Sequence, residues 1–145
     1  MTSILSILDA VASTTSRKEK EAILSEHKDT ELLKRVCKMA YDKQILFWMS
    51  ALPPRDMSLQ EDATIGISLN EALNQLEQNI CNRKLTGGSA EQFVQRLMAH
   101  MAEDDIEVLD RVVSKDLRSG FSASTSNKIW KNLIPSPKFM LAETD

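Results

Sequence analysis

Hydroxyls, glycines and cations crowd one short stretch near the C-terminus, Arg118-Ser119-Gly120-Phe121-Ser122-Ala123-Ser124-Thr125. One helical pattern stops there on basic residues and a glycine, and another begins at once on hydroxyls. Free amides at a helix start, joined by the hydroxyls of Ser122, Ser124 and Thr125 beside Arg118, are groups that hold a phosphate. Gly120 lets a ligand's backbone approach closely because it has no side chain. The design recurs at Asn82-Arg83-Lys84-Leu85-Thr86-Gly87-Gly88-Ser89, where two cations precede a glycine turn and Ser89 opens a helical pattern. A weaker copy runs from Ser13 to Ser16 and on into Arg17 and Lys18. Cations in a first turn oppose the helix macrodipole, so their placement there implies another use. Three such corners would grip a sugar-phosphate backbone without reading bases.

The charge pattern points the same way. From residue 115 to 138 the charged residues are Lys115, Arg118, Lys128, Lys131 and Lys138 against Asp116 alone. Arg111, Lys115 and Arg118 would share one face of a helix running on to Gly120. The plainer alternative is a helix that carries cations because they suit its negative end, plus ordinary solvated lysines.

Catalytic constellations are missing. His27 and His100 lie on separate helical patterns without ligand-spaced partners. The acids of Glu103-Asp104-Asp105-Ile106-Glu107-Val108-Leu109-Asp110 could suggest a metal site, but acids also suit the first turns of a helix. No phosphate-binding G-x-x-x-x-G-K-[ST] loop, G-x-S-x-G elbow or Cys/His pairing appears. Cys37 and Cys81 fall inside apolar helical patterns and read as small buried thiols of a reducing compartment, too few for a structural zinc site.

These corners need helices to carry them. The 145 residues are 42% hydrophobic, carry a formal charge of −3 and include only four glycines and four prolines. That suits one folded all-α domain and argues against coating nucleic acid by bulk charge, while leaving room for a local basic face. Apolar residues recur at helical spacing, predicting about seven helices. The first carries Ile4, Leu5, Leu8 and Val11. Ser16 with Glu19, Ser68 with Glu71, and Ser89 with Gln92 read as capping boxes. Thr86-Gly87-Gly88 should end the fourth helix near Leu85, Asp104 should cap the sixth, and Gly120 should stop it. Residues 44–67 are irregular: an apolar run, Gln44 to Leu52, ends in Pro53-Pro54 and reads as extended chain on the core. The start lacks a basic leader and no run approaches membrane-spanning length, so a soluble, intracellular monomer is expected. Residues 1–134 should form the domain and 135–145 a linker.

The residues Arg83-Lys84-Leu85-Thr86-Gly87 and Asp116-Leu117-Arg118-Ser119-Gly120-Phe121-Ser122 carry a resemblance. With the stretches from Ile4 to Leu24, Asp29 to Asp42 and the final Met140 to Asp145, the chain resembles the N-terminal DNA-binding domain of bacteriophage ATP-dependent DNA ligases of the T-even type. The likeness spans nearly the whole chain and is poor over residues 44–67. It implies an all-helical domain on the minor groove of nicked or intact duplex DNA, touching phosphates and sugars. In such ligases a nucleotidyltransferase domain and an OB-fold domain seal the nick, in replication, repair and recombination. The motifs place DNA contacts on Lys84, Thr86, Gly87, Gly88, Arg118, Ser119, Gly120, Ser122 and Ser124. To these the residue chemistry adds Ser16, Arg17, Lys18, Ser89, Lys115, Thr125 and Lys128.

The family's adenylation motif, Lys-x-Asp-Gly, is missing, since the chain contains no Asp-Gly pair. The sequence stops about where the catalytic domain would begin. The ATP and Mg2+ that the resemblance implies would belong to that domain, and this chain by itself should neither bind ATP nor join ends. Two other classes compete: a helical protein-interaction module presenting Ile45 to Pro54 as an apolar patch, and a small stand-alone regulator of a ligase.

Overall fold

The structure is a computed structural model that describes residues 3–55, 64, 66–131 and 133–134. The linker expected at 135–145, with Lys138, lies outside the described residues. Seven α-helices and no strand occur among them: α1 (Ile4–Ala12), α2 (Arg17–Glu26), α3 (Glu31–Tyr41), α4 (Leu69–Leu76), α5 (Gly87–Ala99), α6 (Glu103–Val113) and α7 (Ala123–Ile129). The all-α class and the helix count follow the sequence reading.

The sixth helix is the hub. Ile106, Val108, Leu109, Val112 and Val113 are all buried, so its apolar face is wide enough to meet α1, α3 and α4 at once. Facing it are Ile7, Leu8 and Val11 of α1, Leu33, Val36 and Met39 of α3, and Ala72, Leu73 and Leu76 of α4. Each fully buried Leu or Ile contributes roughly 1.5–3 kcal/mol. The second helix buries only Leu24 and rests on α1 and α7. The short α7 lies against α2 and α3.

Several boundaries differ from expectation, each for a local reason. Ser3 and Ser68 cap α1 and α4 by accepting from the amides of Ser6 and Glu71, both at 3.1 Å. Ser16 precedes α2 as expected but its hydroxyl makes no cap bond. The fourth helix does not run to Leu85. It widens into a π-helical turn, Glu77–Cys81, where the Asn79 side-chain amide donates to the Gln75 carbonyl at 3.1 Å. Thr86, not Ser89, is the N-cap of α5, because Gly87 turns the chain with φ +56 and puts Ser89 inside the first turn. Ala102, not Asp104, precedes α6, whose first turn carries Glu103, Asp104 and Asp105. That helix stops at Val113, well before Gly120. Lys115 and Arg118 take left-handed backbone, φ 62 and 55, so Arg111, Lys115 and Arg118 do not share a helix face.

The irregular middle is packed on the core where it is described. Phe47 is buried, the Leu52 amide donates to Asp110 at 3.1 Å, and Arg55 grips Glu103 through two bonds of 2.6 and 2.7 Å.

Candidate nucleic-acid interface

The loop from Ser114 to Phe121 is held by side chains and carbonyls from the first third of the chain. The Lys20 ammonium, on α2, donates to the carbonyls of Val11, Thr14 and Ser119 at 2.8, 2.8 and 3.0 Å. It thus fills a cage made by the C-terminal end of α1 and the loop, where carbonyls would otherwise repel an anion. The Ser119 hydroxyl is buried and donates to the Leu8 carbonyl at 2.9 Å. Tyr41 donates to the Phe121 carbonyl at 2.8 Å and meets the Phe121 ring edge-on. The Lys115 ammonium donates to Met39 and Asp42 carbonyls at 2.7 and 2.8 Å, closing the end of α3. Burial pushes that ammonium's pKa down, partly offset by Asp42 and Cys81.

Two of the three corners therefore meet. Thr15, Arg17 and Lys20 line one shallow groove together with Gly120, Phe121 and Ser122. Arg17 and Lys128 flank its rim, both paired to the Glu21 carboxylate, at 3.5 and 3.6 Å. Both cations are more than half exposed, and such pairs are worth about 0–1 kcal/mol, so Glu21 holds them only weakly. Lys18 is exposed beside Arg17. The Ser122 hydroxyl pairs with that of Ser124 at 2.8 Å, both exposed. Gly120 has φ +74, and a Cβ there would sit 3.0 Å from Lys20 Nζ, so glycine is needed both for the backbone and for the clamp.

Not every residue expected at the surface is there. Ser119 and Thr125 are buried at 1% and 3% exposure, and Lys115 is committed to carbonyls. Ser16 is half-buried. Arg118 is half-exposed, but its guanidinium lies 3.5 Å from both Glu107 and Asp110.

The third corner is open. Lys84, Thr86, Gly87, Gly88 and Ser89 are exposed, and a Cβ built on either glycine meets nothing within 4 Å. Its neighbour Arg83 stacks on Trp48 at 4.3 Å, and Lys115 sits over the adjoining Phe47. Lys20 and Trp48 escaped the sequence reading. Carbonyl partners leave no spacing signal, and the Trp48–Arg83 pair joins segments 35 residues apart.

No known protein-family profile matches the chain. Over 141 residues, 97% of its length, it is 38% identical to the DNA ligase of Enterobacteria phage T4 and equally to that of phage T6. The chain is similar to phage DNA ligases. It spans 28% of the length of these curated relatives. Among solved structures it resembles Pmar-Lig_PreS3, with TM-score 0.74 and 25% identity over 93% of this chain and 32% of that one. Pmar-Lig_Pre. is similar at TM-score 0.74 and 26% identity, covering 91% and 30%. The ligase resemblance carried by Arg83–Gly87 and Asp116–Ser122 is thus borne out across nearly the whole chain.

Proposed function

We propose that this chain is the DNA-binding segment of an ATP-dependent DNA ligase. It grips nicked or intact duplex through phosphates and sugars along the minor groove, independently of base sequence. The observation that carries the proposal is its 38% identity to phage DNA ligases over 97% of its own length. Supporting it, the corner at Thr15–Lys20 and the loop at Gly120–Ser122 share one groove rimmed by exposed cations. Arg17, Lys18, Lys84, Arg118 and Lys128 supply the charge. Gly87, Gly88, Gly120, Ser122 and Ser124 supply close approach and hydroxyls. Ser119 and Lys115 act from beneath, by holding the loop, and Thr125 is buried in the floor of the groove.

In this reading the nucleotidyltransferase and OB-fold domains of the parent ligase are the intramolecular partners. The adenylation step, with its ATP and Mg2+, belongs to them. Among the described residues no three or more His, Cys, Asp or Glu converge to hold a metal ion. Nor is any described helix long and apolar enough to cross a membrane.

The test is the affinity of this chain for a nicked duplex as salt is varied. Neutralising about five phosphates gives a slope of about −4.5, so tripling the salt weakens binding on the order of a hundredfold. An isotherm that hardly moves with salt overturns the proposal.

A further inference from the structure

Among the described residues, the large apolar side chains left exposed are Leu46 and Trp48, at 44% and 54%. Between them Phe47 is 3% exposed and anchored in the core, so this presentation is fixed by packing. The Trp48 indole N–H donates to the Cys81 carbonyl at 3.3 Å, and the Arg83 guanidinium lies over the ring at 4.3 Å from its centroid. Both residues hold left-handed backbone, φ 61 and 64, which bulky side chains rarely adopt. An indole is thus locked in place, covered by a cation and still more than half exposed to water.

We propose that Trp48 and Arg83 form a packing platform for the backbone of the bound DNA, with a deoxyribose ring resting on the indole. This rests on the DNA-binding reading above and extends it to the irregular segment, where the ligase motifs place no contact. The surroundings select a polyanion. Across residues 42–49 and 82–89 the exposed charges are Lys43, Arg83 and Lys84, all positive, while Asp42 is buried and paired to Lys38. The nearest acid lining the adjoining groove, Glu77, is bound to Arg35. Stepping from Arg83 to Lys84, Thr86 and Gly87 leads directly onto the open corner assigned to the phosphates. An aromatic face beside a cation track can pack a backbone sugar between phosphate contacts with little regard for sequence.

The test uses the whole chain and a nicked duplex at low salt, with affinity read from labelled DNA and Trp emission read in parallel. Trp130 is buried, so a change on adding DNA that disappears in Trp48→Phe belongs to Trp48. The expected result is altered Trp48 emission and protection from acrylamide when DNA binds. Trp48→Ala should lose about tenfold in affinity and Trp48→Phe about twofold, with salt slopes unchanged, as expected for loss of buried apolar area. Wild-type binding with unaltered Trp48 emission and quenching overturns the platform and leaves the DNA reading standing. So does unchanged affinity in Trp48→Ala. Absence of any DNA binding by the wild type overturns both.

Discussion

The ammonium of Lys20 donates to the carbonyl of Ser119 at 3.0 Å, joining residues ninety-nine positions apart. With its bonds to Val11 and Thr14, it ties α1, α2 and the 114–121 loop at one point. A single lysine thus shapes a groove whose rim is charged by others.

Replacing that lysine should separate shape from charge. Lys20→Met strips three carbonyls of their donor and should cost about 1–3 kcal/mol in a urea titration. It should weaken DNA binding while leaving the salt slope near the wild-type value, because the ammonium faces carbonyls and not phosphate. Gly120→Ala strains a φ of +74 and crowds the same ammonium, so the double variant should lose less than the two single losses added. Strict additivity, or a slope lowered by about one in Lys20→Met, would contradict the clamp.

Arg118→Ala should act the other way. Its ion pairs with Glu107 and Asp110 are 3.5 Å long and half-exposed, so stability should change by no more than about 0.5 kcal/mol. Binding to every duplex should weaken alike, with the salt slope flatter by about 0.9. A loss restricted to particular sequences would show base reading instead.

Acid should loosen the seat of the irregular segment. Burial by itself would raise the Asp42 pKa. Hydrogen bonds from Lys38 and the Gln44 amide, with the charges of Lys38 and Lys115, outweigh that and hold it below the ordinary carboxylate value. A carboxylate depressed in the folded state contributes stability that is present above its unfolded pKa and lost as pH falls through the folded one. Urea midpoints of the wild type should therefore fall as pH drops below about 4. Asp42→Asn should be less stable at pH 7 by about 1–3 kcal/mol and show a shallower acid limb. Parallel curves would mean that Asp42 is not the group responsible.

The thiols should be inert while the chain is folded. Burial pushes Cys37 up to about 12, and burial followed by the Glu77 charge pushes Cys81 up to about 11. At pH 8 a disulfide reagent should label neither quickly, and both should react once denaturant is added. Fast native labelling of Cys37 would show that the core around α3 opens readily.

Helix number and the apolar faces were legible because Leu8, Val36, Leu73 and Leu109 recur at a period the chain cannot disguise. Helix ends were less so. Lys115 takes a left-handed turn that glycine usually supplies, and its cost is offset by carbonyls 73 and 76 residues away, so no local rule could find it. The cation-rich corners were visible as composition. Which members face outward was not: Ser119 and Ser122 look alike in sequence, yet one hydroxyl is inside against Leu8 and the other outside beside Ser124. Burial of that kind is decided by tertiary contacts, which a single sequence does not display.

The anchors of the 114–121 loop are Leu8, Lys20, Met39, Tyr41 and Asp42, all made well before the loop itself. A nascent chain stalled before residue 114 would hold the sockets without the piece that fills them. Closing the groove must wait for those distant ends to meet, a slow kind of contact. If the groove grips DNA as proposed, copies that stop before residue 122 would lack that grip and would not occupy a strand break.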